Sequence, residues 1–380
     1  MRYARAGLIS IVVAAMATAF APSAHATYMG KSFWPSDSEI TSSPSGLFPT
    51  GAWGTSFVED SPTSFTMWFD ASSGTLPDYA TSTDGKAWTN NSAITIVGSL
   101  PQGTTSVAHS VVLQTGANSY QMWYYTGLTG TSEGINQLAH ATSTDGVHWT
   151  NFTFLSQSAT APILTGHTGS NVWNNSSLGP TCVIYNSAGS ATLNTTNAFA
   201  NQYVMYYGAG QEGVTANPVS TGLAISTDGL TWSMFSTGKT LTGSGSGWDS
   251  GRAVIWDVLN EGGQYKAFYS GGVGTSWAGL GYATSTDGFT WTTDGSDNPI
   301  FSTSQGVAYR NNRDWVPRVL LVTTATDKFY RMYFSVKNAG GAGSVAYTDG
   351  PHSAIPEPGT MALLGMGLGA LALKRRKKAA

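Results

Sequence analysis

Hydrophobic and polar positions alternate along the chain in short runs, and one run recurs five times. It has the form aromatic-x-x-aromatic-aromatic and occurs at 65–69, 120–124, 203–207, 265–269 and 330–334. Short runs rich in aromatic residues and bounded by Gly, Asn and Ser predict β-strands. The pattern therefore favours short strands over helices throughout the body of the chain.

A polar turn follows each aromatic run. Residues 82–88, 143–149, 226–232 and 285–291 share the template Ser-Thr-Asp-Gly-x-x-Trp, and 347–350 is a fifth copy without its Trp. Asp-Gly predicts a hairpin turn in all five copies, because Gly accepts a positive φ and the Asp carboxylate binds neighbouring amides. The Asp residues are 61, 83, 59 and 62 positions apart, and insertions at 187–201 and 211–221 lengthen the second interval.

Each unit reads as four short strands, and four-stranded units that repeat radially form a β-propeller. The sequence therefore predicts an all-β fold, a five-bladed propeller over 46–352. The turn resembles the Asp-box of sialidases but is one residue shorter. That resemblance implies a scaffold turn at the outer edge, remote from any active site.

Composition narrows the class of protein. Only 10% of the residues are charged, 12% are aromatic and one is Cys. These values exclude a disordered chain, a coiled coil, a disulfide scaffold and a multi-cysteine zinc site. The six His residues are scattered without paired spacing, so we expect no metal and no cofactor.

The two ends of the chain read as targeting segments. A basic start, an apolar run and Ala-His-Ala predict a signal peptide at 1–26, followed by an N-terminal extension at 27–45. Residues 353–380 contain Pro356, Glu357 and Pro358, an apolar run at 361–373 and five cations at 374–378. This tail resembles the PEP-CTERM sorting signal of Gram-negative bacteria. The resemblance implies an exosortase-type processing enzyme as partner, a short C-terminal transmembrane helix as transient inner-membrane anchor, and transfer to the cell surface or extracellular matrix.

The targeting segments hide the charge of the body. Of the 18 Lys and Arg, two lie in 1–26 and five in 374–378, and Glu357 is one of 21 acidic residues. Residues 27–355 therefore hold 11 cationic and 20 acidic side chains, a net charge of −9. An acidic body without a basic cluster predicts no nucleic-acid partner.

The body as a whole resembles the five-bladed glycoside hydrolases of the arabinanase, levansucrase and invertase group. The resemblance implies carboxylates at the axial end of the innermost strands, where an Asp commonly precedes a Pro. Val316-Pro317-Arg318 in the fifth unit matches Gly179-Pro180-Thr181 in the third, and no Asp-Pro occurs in the chain. This departure favours binding over hydrolysis.

If the protein is an enzyme, Asp249 and Asp314 are the predicted catalytic groups, because both align three residues before an inner strand. The alternative is that they form salt bridges with Arg252 and Arg318 or cap loops. Indole rings stack on sugars, and charged or amide groups bind their hydroxyls. The predicted ligand-binding residues are Trp248, Arg252, Trp315, Arg318, His109, Trp173, Asn174 and Asn175.

Three hypotheses follow for this exported protein. It binds a glycan, in particular extracellular polysaccharide, through its axial funnel. Alternatively it is a glycoside hydrolase or glycan-active transferase of the propeller type, or a structural matrix protein that neither binds nor turns over glycan.

Overall fold

The aromatic runs form the second long strand of each of five sheets, as the sequence pattern predicts. The computed structural model describes residues 28–39, 53–70, 75–104, 106–127, 136–157, 176–186, 199, 201–210, 220–235, 238–261, 264–274, 276–293, 295–324 and 327–354. The predicted signal peptide and the segment with Pro356, Glu357 and Pro358 lie outside these residues. In the part that is described, no helix has the length and apolar character needed to cross a membrane.

The elements follow one another in chain order. The first group comprises η1 (Lys31–Phe33), β1 (Ser38–Glu39), β2 (Trp53–Ser61), β3 (Ser64–Asp70), β4 (Pro77–Ser82) and β5 (Thr89–Ala93). The second comprises β6 (Thr95–Ile96), β7 (Ala108–Gly116), β8 (Ser119–Gly127), β9 (Asn136–Ser143) and β10 (His148–Phe154). The third comprises β11 (Ser156–Gln157), β12 (Ser176–Asn186), β13 (Gln202–Gly210), β14 (Ser220–Ser226) and β15 (Thr231–Met234).

The fourth group comprises η2 (Gly247–Asp249), β16 (Arg252–Glu261), β17 (Gln264–Val273), β18 (Ser276–Ser285), β19 (Thr292–Thr293) and β20 (Phe301–Ser302). The fifth comprises η3 (Thr303–Gln305), β21 (Arg313–Thr323), β22 (Asp327–Lys337) and β23 (Gly343–Ala354). The first long strand of each group, namely β2, β7, β12, β16 or β21, contacts its counterparts in the two neighbouring sheets and closes a ring. The fold is thus a five-bladed β-propeller with these strands innermost.

The blades are also joined by short edge strands that pair with the outer strand of another blade. β1 pairs antiparallel with β23, so residues 38–39 of the predicted N-terminal extension supply the outermost strand of the fifth blade. β6 pairs parallel with β10, and β11 pairs parallel with β15. The segment that leaves one blade therefore adds an edge strand to the next, which ties successive blades together.

An apolar core fills each boundary between blades, built from the aromatic runs. Trp68, Trp123 and Tyr206 have no exposed surface and pack against the following blade. Each such ring contributes about 1.5–3 kcal/mol by burial. The boundary between the fourth and fifth blades has a second cluster, which consists of Val254, Trp256, Trp277, Trp315 and Val316.

The Ser-Thr-Asp-Gly turns are scaffold, as predicted for the first four copies. In the third blade, Ser226 Oγ accepts the amides of Asp228 and Gly229, and Asp228 Oδ1 accepts those of Leu230 and Thr231 at 2.8 and 2.7 Å. The Gly229 carbonyl then accepts Trp232 Nε1 and, from the preceding blade, Trp123 Nε1 at 2.8 Å. The turn therefore joins two blades.

The prediction of a fifth turn is wrong. Asp349 and Gly350 lie inside β23, which continues to Ala354. Asp349 accepts two hydrogen bonds from Arg331 on β22 at 2.6 and 2.9 Å, so its carboxylate is held across the sheet. Phe33 takes the space beside Gly350, where a Cβ would lie 2.2 Å from its ring, and Trp34 packs on Phe268. The N-terminal segment thus replaces the missing tryptophan.

Candidate functional site

Asp70 lies at the axial entrance of the first blade. It ends β3 and pairs with Trp53, where β2 begins. The Asp70 side chain is 10% exposed; Oδ2 accepts the amide of His109 at 2.8 Å, and Oδ1 has no hydrogen-bond partner in the described part of the chain. Burial raises the pKa of Asp70 to about 7, and the His109 amide opposes that shift only in part. This carboxyl group therefore keeps its proton to a higher pH than an ordinary aspartate does.

His109 stands beside Asp70 on the innermost strand of the second blade. Its φ of 47° marks a β-bulge, where the pairing of β7 with β8 shifts between Ala108 and Val111. The bulge turns the imidazole onto the Tyr125 ring, with centroids 4.8 Å apart, and leaves Nε2 3.9 Å from Asp70 Oδ2. Burial and the charge of Arg318 lower the pKa of His109 to about 4, so the ring is neutral at pH 7.

Arg318 extends from the fifth blade towards the fourth and third blades. Nη1 donates to the carbonyl of Thr181 at 2.6 Å and to the carbonyl of Trp256, in the third and fourth blades. Asp257 lies near this guanidinium and accepts the amides of Val319 and Val258 at 2.6 and 2.9 Å. Burial raises the pKa of Asp257, and Arg318 opposes that rise.

The strand register explains why Asp257 and Arg318 meet. Each innermost strand has one residue opposite the fourth position of an aromatic run. These five residues are Ser56, Val111, Cys182, Asp257 and Arg318. They lie at one level of the ring, so Asp257 and Arg318 of adjacent blades are neighbours. We call Asp70, His109, Tyr125, Asp257 and Arg318 the axial cluster.

The two carboxylates predicted to be catalytic lie elsewhere and are held by neighbouring side chains, although Asp314 Oδ1, like Asp70 Oδ1, has no hydrogen-bond partner in the described part of the chain. Asp249 is 4% exposed and accepts the hydroxyls of Ser244 and Tyr269, the latter at 3.1 Å. Asp314 is fully buried, and its Oδ2 accepts Arg310 Nη1 at 3.1 Å. Burial raises the pKa of Asp314 to about 7 against the opposing effect of Arg310. A catalytic role for either group stays a prediction.

Three details of the sequence alignment are wrong. Asp314 lies inside β21, because the positive φ of Val316 forms a bulge that accommodates Pro317 within the strand. Cys182, and not Thr181, therefore occupies the position of Arg318. The ion partner of Asp314 in the described ranges is Arg310 rather than Arg318, and Asp249 has hydroxyl partners rather than Arg252.

The remaining predicted ligand-binding residues divide into three groups. Trp248 stacks on Tyr269 and lines a cleft of about 360 Å³ with Lys31, Pro299 and residues 302–305. Trp315 belongs to the second cluster at the boundary of the fourth and fifth blades, and Arg252 lies over Trp277 of the same cluster. Trp173, Asn174 and Asn175 lie outside the described residues.

Sequence reasoning missed Asp70, Tyr125 and Asp257. A signal for Asp70 is present, because it directly follows an aromatic run, where the other units have Tyr125, Gly208, Ser270 and Ser335. It is the one charged side chain at that position. Asp257 interrupts an otherwise apolar inner strand, but its neighbours come from other blades and cannot be read from local sequence. Within the described ranges, no group of three or more His, Cys, Asp or Glu residues is arranged to hold a metal ion.

Comparison with known proteins agrees with the fold and with the tail. Residues 354–377 match the family model of the PEP-CTERM protein-sorting motif, which marks an exosortase-sorted surface protein. No curated protein sequence matches the chain. The solved structures it resembles are glycoside hydrolase five-bladed propellers and related folds.

Three of these structures illustrate the likeness. A thermostable family-43 glycoside hydrolase aligns with a TM-score of 0.55 and 14% identity over 80% of this chain and 93% of its own. A glycosyl hydrolase from Bacteroides ovatus gives 0.52 and 14% over 78% and 84%. An N-acetylgalactosamine deacetylase from F. plautii, in complex with blood group B trisaccharide, gives 0.52 and 14% over 80% and 90%. At these identities the likeness concerns the fold.

Proposed function

We propose that the exported protein binds a glycan through the axial cluster. The observation that carries this proposal is that Oδ1 of Asp70 is buried and has no hydrogen-bond partner in the described part of the chain. A buried carboxyl oxygen without a hydrogen-bond partner costs free energy in the folded protein, and a sugar hydroxyl would supply the missing partner. Polar side chains beside an aromatic ring are also the usual composition of a sugar site.

The neighbouring residues suit the same ligand. The neutral imidazole of His109 offers one donor or acceptor to a hydroxyl group, and its side chain is 30% exposed. Tyr125 backs the imidazole, and Arg318 places a cation near it. The sorting motif at 354–377 supports a surface location, where polysaccharide is available as a partner.

The test is a glycan array followed by titration calorimetry on the full chain in detergent. We expect binding that weakens about tenfold or more in Asp70→Asn or His109→Ala, because each loses a polar contact in a buried site. The matched control is Asp228→Asn, which should retain wild-type affinity. Asp228 lies in one of the four Ser-Thr-Asp-Gly turns, which we call the rim turns. Absence of binding to every glycan, or binding that both axial variants leave unchanged, would contradict the proposal.

Hydrolysis is the second candidate, and the pKa of Asp70 favours it. A carboxyl group that titrates near pH 7 suits a general acid, and Asp257 would be the second carboxylate. Release of reducing sugar that Asp70→Asn or Asp257→Asn lowers 100-fold would support this assignment. A loss confined to Asp249→Asn or Asp314→Asn would support the pair predicted from the sequence instead. If the protein shows neither glycan binding nor glycan turnover, the structural matrix role remains.

A further inference from the structure

A second polar cluster lies beside the axial cluster, at the boundary of the fourth and fifth blades. Arg252 begins β16 and Arg313 begins β21, so both lie where an innermost strand enters the ring. Trp256, Trp277 and Trp315 pack together between them. We call these five residues the arginine–tryptophan cluster. It adjoins the axial cluster, because the Trp256 carbonyl accepts Arg318.

Arg252 is a buried cation with unused donors. Its side chain has no exposed surface, and Nε donates to the carbonyl of Gly274 at 2.5 Å. Nη1 and Nη2 have no partner in the described part of the chain. The guanidinium lies 5.1 Å from the centroid of the Trp277 ring, and Gly272, which pairs with both residues, adds no side chain between them. The nitrogens are thus held at a fixed position without an acceptor.

Two of the other buried arginines in the described residues have carboxylate partners, and the third, Arg318, donates to two backbone carbonyls near Asp257. Arg310 is held by Asp37 and Asp314, and Arg331 by Asp349. Over the described ranges, no carboxylate lies within 4 Å of either Arg252 or Arg313. An unpaired buried charge is costly, and two cations near each other add to that cost.

Arg313 and Trp256 complete the set of donors. Arg313 is half-buried, and its guanidinium lies 5.1 Å from the centroid of the Trp315 ring. Trp256 is 4% exposed and its Nε1 has no partner among the described atoms. Burial, with a further contribution from the charge of Arg313, lowers the pKa of Arg252. These unpartnered donors are the groups that a bound oxyanion would satisfy.

The geometry points to an acidic glycan as the ligand, with the oxyanion of one sugar bound by Arg252 and Arg313. Guanidinium groups bind carboxylate and sulfate through paired, charge-assisted hydrogen bonds. The carboxylate of a uronic acid and a sulfate ester share this chemistry. The inference rests on the proposed glycan binding and adds its charge class. A body of net charge −9 repels polyanions at long range, so recognition depends on this local pair.

The experiment compares matched polymers on the full chain in detergent. The probes are polygalacturonate and its fully methyl-esterified form, and dextran sulfate and dextran. We expect each anionic polymer to bind about tenfold more tightly than its neutral match, and Arg313→Gln or Arg252→Gln to remove that difference. Lys86→Gln is the matched control, because it removes one cation in a rim turn. Arg313 is half-buried, so Arg313→Gln tests the site even if Arg252→Gln does not fold.

The outcomes separate this inference from the proposed function. Equal affinity for the charged and neutral polymers, in wild type and both arginine variants, overturns the acidic-glycan inference. If Asp70→Asn still weakens neutral binding, glycan binding at the axis then stands. Conversely, binding that depends on the two arginines but is unchanged in Asp70→Asn supports the acidic-glycan inference and contradicts the axial site. Preference for only one anionic polymer supports the inference and identifies the oxyanion as carboxylate or sulfate.

Discussion

Asp228, in the turn after β14, and Asp70, the last residue of β3 at the axial entrance, have carboxylates that are held in opposite ways. Burial alone would raise the pKa of Asp228, yet the amides of Thr231 and Leu230 outweigh it and lower the pKa. At Asp70 burial outweighs the one amide that its carboxylate accepts. The rim carboxylate therefore stabilises the fold at neutral pH, and the axial one destabilises it.

The difference follows from where the partners come from. Rim carboxylates bind amides two and three residues later, so each repeat makes its own contacts. The axial cluster has one or two residues from each of four blades and exists only when the ring has closed. A group that costs stability and survives in a closed scaffold is a candidate for function. Four predictions follow, from the largest expected effect to the smallest.

The first prediction tests the rim as the source of stability. Trp123→Ala is expected to cost about 3–5 kcal/mol, because a fully buried indole and its bond to Gly229 are lost. Tyr125→Ala, two residues along the same strand, is the matched change at the axial end. It should cost roughly half as much, because Tyr125 is only half-buried. Guanidinium unfolding measures both, and equal losses would remove the contrast between rim and axis.

The second prediction concerns Asp70 of the axial cluster, where removing the carboxylate should raise the free energy of unfolding at high pH instead of lowering it. The pKa of Asp70 is raised to about 7, so the folded protein keeps this proton between about pH 4 and pH 7 while the unfolded chain releases it. Wild type therefore loses stability as pH rises through that window. Asp70→Asn should lose less stability over that window, with Asp314 still titrating there, and at pH 8 it should be more stable than wild type by up to about 4 kcal/mol. Unfolding at pH 4 and pH 8 tests this, and a variant that is less stable at pH 8 contradicts it.

The third prediction isolates a contact that crosses between blades. Gly146 and Gly245 share a positive φ, 74° and 75°, but a Cβ on Gly146 would lie 2.7 Å from Trp68 and a Cβ on Gly245 meets nothing within 4 Å. Both Ala variants carry the strain of a positive φ. Gly146→Ala should cost about 1–2 kcal/mol more, because it also displaces the ring of the preceding blade. Equal thermal melting of the two variants would mean that the rim tolerates this displacement.

The sequence predicts the rim well because the rim repeats. Five aromatic runs and four complete turns are enough to give the strands, the blades and their number. The fifth turn fails as a prediction because Phe33 and Arg331, distant in sequence, take over the roles of the lost tryptophan and of the following amides. Local pattern carries no information about either substitution.

The axial site is predicted only in part, for the same reason. His109 and Arg318 are recognisable as polar residues on inner strands, and they do belong to the axial cluster. Asp314 resembles a loop carboxylate until the bulge at Val316 is known, since that bulge lengthens the strand. Asp257 becomes notable only when the register sets it beside Arg318. Bulges and register depend on tertiary packing.

The smallest effect tests the rim carboxylate itself. Asp228→Asn keeps an oxygen for the amides of Leu230 and Thr231 but removes its charge, so at pH 7 the variant should be less stable by about 1 kcal/mol. The pKa of Asp228 is lowered, so its contribution is complete above about pH 4, the unfolded value, and is lost as pH falls through the folded one. The gap between wild type and variant should therefore close in acid, which is the reverse of Asp70→Asn. Urea unfolding of both variants at pH 3 and pH 7 tests the pair, and a gap at Asp228 that widens in acid would show that the rim turns do not depend on the carboxylate charge.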